Sequence, residues 1–145
     1  MNIELKSMQT EDKNITELLF LNTDTKESLG KITYSISGKD AHINYTYLKP
    51  EYRRMGILKK SLNTILCDMK CKGANKVFLH TISDDAREAW SALGFKEISE
   101  KEIKEAEKAW RKLGYPADIY KELGESLKIT AMKKELEEIC LCCDK

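Results

Sequence analysis

Apolar and polar positions divide this chain into a strand-rich first half and a mixed second half. Ile3 to Met8 alternates and predicts a strand; Ile15 to Leu21 is an apolar run that predicts a second. Asn22-Thr23-Asp24-Thr25 between later segments has turn chemistry, because Asn and Asp side chains bond their own backbone. Leu29 to Ser37 alternates again, with Ile32, Tyr34 and Ile36 on one face. Gly38-Lys39-Asp40 predicts a tight hairpin into a strand from Ala41 to Leu48. In that strand, period two puts Ile43, Tyr45 and Tyr47 on one face and His42, Asn44 and Thr46 on the other.

The period then changes. Leu58, Leu62, Ile65, Leu66 and Met69 recur at helical spacing, and Gly73 ends that helix as a left-handed cap. Lys76 to Ile82 is a short β-type run. Ser83-Asp84-Asp85 supplies an N-cap and two first-turn carboxylates to a helix with the stripe Ala86, Ala89, Trp90 and Leu93, closed by Gly94. Phe95 to Ile98 predicts another strand. Strand, helix, strand, helix, strand implies α/β layers with at least one parallel crossover. From Ser99 to Glu125 the chain is dense in Lys and Glu and predicts two short helices, with Pro116 opening the second. Ser126 to Met132 predicts a last strand, and Lys133 to Cys142 a terminal amphipathic helix. Ala89 to Phe95 echoes Ala109 to Tyr115, but two copies do not make a solenoid.

Composition narrows the classes. The 145 residues suit one domain, and 41% hydrophobic residues are ordinary for a globular protein. Charged residues reach 34%, yet the net charge is only +1, which argues against a broad nucleic-acid-binding face. No stretch approaches the roughly 20 apolar residues needed to cross a bilayer. Met1 to Lys6 alternates and does not read as a signal peptide. Cysteines stand at 67, 71, 140, 142 and 143; an odd count without a leader favours reduced thiols in a cytoplasm. Cys67 and Cys71, one helical turn apart, are expected as core fillers. The Cys140-Leu141-Cys142-Cys143 tail lacks the four well-placed donors of a structural metal site, so no metal is expected.

The informative run is Tyr47 to Lys60. Pro50 stops the strand, and a basic turn with one glycine, Gly56, opens into a helix. Such a helix start presents unpaired N–H groups and the positive end of the dipole, which suit a phosphate-type anion. Arg53, Arg54, Lys59 and Lys60 add positive charge. The residues alone equally allow a plain turn with surface arginines.

Arg53-Arg54-Met55-Gly56-Ile57-Leu58 resembles the acetyl-CoA signature of the GNAT superfamily of N-acyltransferases, Arg/Gln-x-x-Gly-x-Gly/Ala. Leu48 to Tyr52 resembles the family's approach to that turn. Ala86, Trp90 and Leu93-Gly94-Phe95 are similar to its fourth helix and the following strand. The resemblance implies an α/β fold with a mixed sheet, of α+β GNAT type, over a single domain 1–145. It would lack the two usual early helices, carry a helical insertion at 99–125 before the last strand, and end in a helix and Cys-rich tail at 134–145. It implies acetyl transfer from acetyl-CoA to an amine by direct attack, with no metal. Cofactor contacts would come from Thr46, Leu48, Arg53, Arg54, Met55, Gly56, Ile57, Leu58, Lys59, Ser83 and Trp90. The acceptor would be a small-molecule or peptide amine; nucleic acid and membrane are not expected partners, and dimers are frequent among such folds.

Three positions depart from the pattern. Leu58 stands where Gly or Ala is preferred, and either obstructs backbone approach or points into the core. Trp90 stands where a Tyr often acts as acid, and Ser83 where an Asn often starts the helix. His42 aligns with the carboxylate base of some members and suits the task, since imidazole titrates near pH 6.5. His80, on the next strand, is expected in a core or surface role. A backbone N–H near Thr46 to Leu48 would meet the oxyanion, and Tyr115 or Tyr120 would protonate the leaving thiolate. The insertion would form the acceptor wall. A CoA-binding module without catalysis and a protein-interaction domain are the competing classes.

Overall fold

Alternation, hairpin glycines and one long amphipathic helix build the fold. A computed structural model describes residues 2–12, 14–53, 55–104, 108 and 130–136. Strands β1 (Ile3–Met8), β2 (Ile15–Asn22), β3 (Ser28–Ser37) and β4 (Asp40–Leu48) form an antiparallel meander. Met8 pairs with Glu17, so β1 turns straight into β2 and the expected loss of early helices holds. Helix α1 (Ile57–Cys71) then crosses to β5 (Lys76–Thr81), which runs parallel to β4. Helix α2 (Asp84–Ala92), a short β6 (Lys96–Glu97) and β7 (Thr130–Glu135) follow. Among the described residues the sheet order is β1-β2-β3-β4-β5-β7-β6. This is the mixed α+β sheet the sequence led us to expect.

The core lies between α1 and one sheet face. Ile57, Leu62, Ile65, Leu66 and Met69 of α1 join Ile32, Tyr34, Ile43, Val77 and Leu79 in one buried cluster. The Tyr34 hydroxyl donates to the Asp68 carboxylate, tying α1 to β3. Burial and that carboxylate push the phenol pKa upward. The opposite face carries a smaller cluster, in which Ile103 and Ala131 pack on Phe78 and Ile98. Residues 100–104 are helical, with the Ser99 hydroxyl accepting from the Glu102 N–H at 3.3 Å. The remainder of the expected 99–125 insertion lies outside the described residues. No described helix is long and apolar enough to cross a membrane.

Four expectations change. In β4 the alternation breaks at Asn44: Tyr34 pairs with Ile43 and Thr33 with Tyr45, leaving Asn44 as the extra residue of a bulge. A one-residue slip moves all later side chains to the other face. Tyr45 and Tyr47 therefore join the His42 face and are exposed, whereas Thr46 and Leu48 join the Ile43 face. The last strand runs to Glu135, so Lys133 to Glu135 are not helical. Antiparallel pairing with β5 outweighs helical propensity here, and the two lysines have partners: Lys133 pairs with Glu102, and Lys134 Nζ donates to Leu93 O at 2.9 Å. The Phe95–Ile98 strand shrinks to Lys96–Glu97, because Phe95 and Ile98 are buried instead. Finally, Cys67 and Cys71 are disulfide-bonded, half-buried and exposed respectively, and so are not reduced core fillers.

Candidate active site

Strands β4 and β5 run side by side for a short stretch and then part. Their parallel pairing covers Asp40–Lys76, Ala41–Val77 and His42–Phe78 only. Beyond it β4 continues to Leu48 and β5 to Thr81 without pairing to each other. The bulge at Asn44 follows immediately and increases the local bend of β4. Close contact with β3 holds the far end of β4: a Cβ on Gly30 would sit 2.0 Å from the Tyr47 carbonyl oxygen.

At the end of β4 a short 3-10 turn, Pro50–Tyr52, leads to α1. Arg53 Nε donates to Leu48 O at 2.8 Å and its guanidinium covers the Tyr47 ring at 5.6 Å, which clips the basic turn onto β4. Gly56 has φ 74° and is the N-cap of α1, a left-handed conformation that glycine adopts without a Cβ penalty. The first helical bond is Lys60 N–H to Gly56 O at 3.0 Å. Among the described residues no side chain caps this end, and no acidic residue lies in its first turn. The first-turn N–H groups thus keep their dipole uncompensated. Helix α2 is the opposite case. Ser83 Oγ accepts from Ala86 N–H at 3.1 Å, and Asp84 and Asp85 fill its first turn. Thr46 Oγ1 is buried with no hydrogen-bond partner among the described residues.

At the parting of the strands a polar chain crosses the sheet. Asn44 Nδ2 donates to Ser35 Oγ at 2.8 Å, and Asn44 Oδ1 lies 2.9 Å from His42 Nδ1. His42 Nε2 lies 3.2 Å from His80 Nδ1. His42 is 1% exposed, and both its ring nitrogens are engaged. Burial lowers the pKa of His42 to about 4. Burial, and then the charge of His42, lower that of His80 to about 3.

The chain has relatives among known proteins. The profile of the acetyltransferase (GNAT) family matches residues 5–95. This chain belongs to the GNAT family. Among curated proteins none matches the sequence. Solved structures share the fold. The PaiA N-acetyltransferase from Thermoplasma acidophilum, in complex with coenzyme A, is 20% identical at TM-score 0.60, over 85% of this chain and 62% of its own. Nourseothricin acetyltransferase is 14% identical at TM-score 0.62, over 86% and 67%. The spermidine N-acetyltransferase from Vibrio cholerae, with CoA and spermine, is 17% identical at TM-score 0.52, over 61% and 55%. This GNAT chain thus spans less than two thirds of the length of the Thermoplasma and Vibrio proteins.

In this GNAT protein the expected residues separate into groups. Arg53, Met55, Gly56 and Lys59 lie on the exposed turn and helix start, while Ile57 is buried in the core. Leu58 is half-buried and packs against the core. Leu48 packs there too. Ser83 caps α2, and Trp90 is buried edge-on to Phe95 at 5.2 Å. Arg54, Tyr115 and Tyr120 lie outside the described residues, as do Cys140, Cys142 and Cys143. Among the described residues no cluster of three or more His, Cys, Asp or Glu is placed to hold a metal. Sequence reasoning did not single out Asn44 and Ser35, nor the contact between His42 and His80. The available signal was polar residues recurring on one face of adjacent strands in an otherwise apolar sheet.

Proposed function

We propose that this protein is an acetyl-CoA-dependent N-acetyltransferase acting on a small-molecule or peptide amine. The observation that carries the reading is the start of α1: a left-handed glycine, no capping side chain, no first-turn acid and flanking cations, at the end of the strand that leaves its neighbour. Such an end suits a diphosphate. The buried Thr46 hydroxyl without a partner and the open edge of β4 fit a pantetheine-like chain beside that strand, which carries its own hydrogen-bonding groups. Acetyl-CoA would supply the activated thioester.

The chain's own residues do the rest. Amides from Ile57 to Lys59 hold the diphosphate, and Lys59 and Lys60 add charge. Because Ile57 and Leu58 face inward, ligand contact there is through backbone alone. Arg53 keeps the turn in place through Leu48 O and adds its charge at the cleft mouth. Backbone N–H groups near Thr46 to Leu48 meet the thioester oxygen. On the other sheet face Ile103 packs with Phe78 and Ile98, and the segment that starts at Ser99 would supply the acceptor wall.

Titration calorimetry with acetyl-CoA tests the cofactor reading; absence of heat at millimolar ligand would sink it. Release of CoA thiol in the presence of spermidine, n-butylamine and a peptide with a free α-amino group tests transfer. Binding without release would favour the competing reading, a CoA-binding module, which Trp90 in the place of the family's frequent acid tyrosine makes worth testing.

A further inference from the structure

Two cysteines of α1 have no part in the acetyltransferase reading. Cys67 and Cys71 are both disulfide-bonded. They stand four residues apart in one continuous helix, Ile57–Cys71. Helical residues at that spacing hold their Cβ atoms about 5–6 Å apart. A disulfide brings its two Cβ atoms to about 3.5–4.5 Å, so a bond between these two cysteines would require the helix to distort. The helix keeps its regular pattern to the end, with Lys72 N–H on Asp68 O at 3.1 Å. Cys67 and Cys71 therefore bond different cysteines. The chain has five, and the other three are Cys140, Cys142 and Cys143.

The path of the chain after β7 agrees with this assignment. Leu136 N–H donates to Asn75 O at 2.8 Å, and its side chain packs against the main core. Asn75 sits against the last turn of α1: Ala74 N–H returns to Met69 O at 3.0 Å, and Lys70 Nζ donates to Asn75 Oδ1 at 2.9 Å. The chain thus reaches Leu136 beside the end of the helix that carries Cys71. Cys140 is four residues on, about 14 Å at full extension, and Cys67 lies one helical turn, about 6 Å, behind Cys71.

We propose that Cys67 and Cys71 are each bonded to one of Cys140, Cys142 and Cys143, so that two disulfides latch the end of the chain to α1 and their reduction releases it. The inference does not depend on the acetyltransferase reading. Each bond forms by exchange with a small disulfide such as oxidised glutathione. One cysteine thiolate attacks a sulfur of that disulfide and displaces a thiolate; the second cysteine thiolate attacks the mixed disulfide and displaces the other. Two protein thiols lose two protons and two electrons, and one small disulfide becomes two thiols. The third tail cysteine is left over. The latch closes at the opposite end of α1 from Gly56, about 22 Å away for a helix of 15 residues, so it acts on the fold rather than on the basic turn.

Tryptic peptide mapping of the full chain reads the bonds, after equilibration with oxidised glutathione, blocking with N-ethylmaleimide and denaturation. Cleavage after Lys70 separates the two helix cysteines into Ser61–Lys70 and Cys71–Lys72, and the tail cysteines share Glu135–Lys145. The expected result is a monomer in which both helix peptides are linked to the tail peptide. Ser61–Lys70 linked to Cys71–Lys72 alone, a disulfide-linked dimer, glutathione on both helix cysteines, or maleimide on all five cysteines overturns the proposal; the last is the outcome of thiols gathered without bonds, as around a metal. Melting gives a second measurement. A phosphine reductant should lower the parent's Tm by roughly 6–12 °C. It should leave the Tm of the combined Cys140→Ser, Cys142→Ser, Cys143→Ser variant unchanged; an equal fall in parent and variant overturns the latch.

Discussion

Thr46→Val offers a test in which stability and binding should move in opposite directions. The two side chains have nearly the same shape, and Val is well suited to a strand. Thr46 Oγ1 is buried and lacks a partner among the described residues. In protein interiors an unsatisfied hydroxyl costs about 1–3 kcal/mol, so removing it should stabilise the ligand-free protein by about 1 kcal/mol. For a chain of this size that corresponds to a rise in Tm of roughly 3 °C. If the hydroxyl serves bound acetyl-CoA, its loss removes a hydrogen bond worth about 1 kcal/mol net, or roughly fivefold in Kd. Thr46→Ser, which keeps the hydroxyl, should retain affinity. Urea unfolding of the free protein and titration calorimetry with acetyl-CoA measure the two halves. A Thr46→Val protein less stable than the parent would show that the hydroxyl already has a partner, and unchanged affinity would remove it from the ligand site.

Other consequences are as concrete. Gly30→Ala places a Cβ 2.0 Å from Tyr47 O and 2.8 Å from Leu48 Cα, both backbone atoms, and should cost about 3 kcal/mol or more by urea midpoint; a loss below 1 kcal/mol is incompatible with that contact. His42 and His80 are lowered to about 4 and about 3 when folded, against about 6.5 unfolded, so the unfolded chain binds more protons in between. Their stabilisation is therefore full above about pH 6.5 and is lost as pH falls towards 4, by about 1.4 kcal/mol per pH unit for each imidazole; His42→Gln should flatten that slope, and an unchanged slope refutes the shifts. Cys67 and Cys71 are disulfide-bonded, so a phosphine reductant should lower stability by about 2–4 kcal/mol, read as a fall in Tm; identical melting with and without reductant would count against those bonds.

The residues by themselves determined the local elements. Alternation and the Gly38-Lys39 turn specified the meander, helical spacing from Leu58 to Met69 specified α1, and Ser83 with two aspartates specified the start of α2. Gly56, two residues after Arg54, marked the turn that opens α1, because that signal is local: one left-handed residue at a helix start. Tertiary structure alone decided which way β4 faces and which side chains meet between β4 and β5. The bulge at Asn44 arises from β4's register against β3, and it reverses the faces of Tyr45, Thr46, Tyr47 and Leu48 relative to period two. The contact between His42 and His80 joins residues 38 positions apart in the chain. It depends on the parallel pairing of β4 and β5, which sets His42 opposite Phe78, two residues before His80. The strand character of Lys133 and Lys134 likewise comes from their partners across the sheet. Local periodicity can specify an element, but register, and with it the chemistry that two strands share, is a property of the pair.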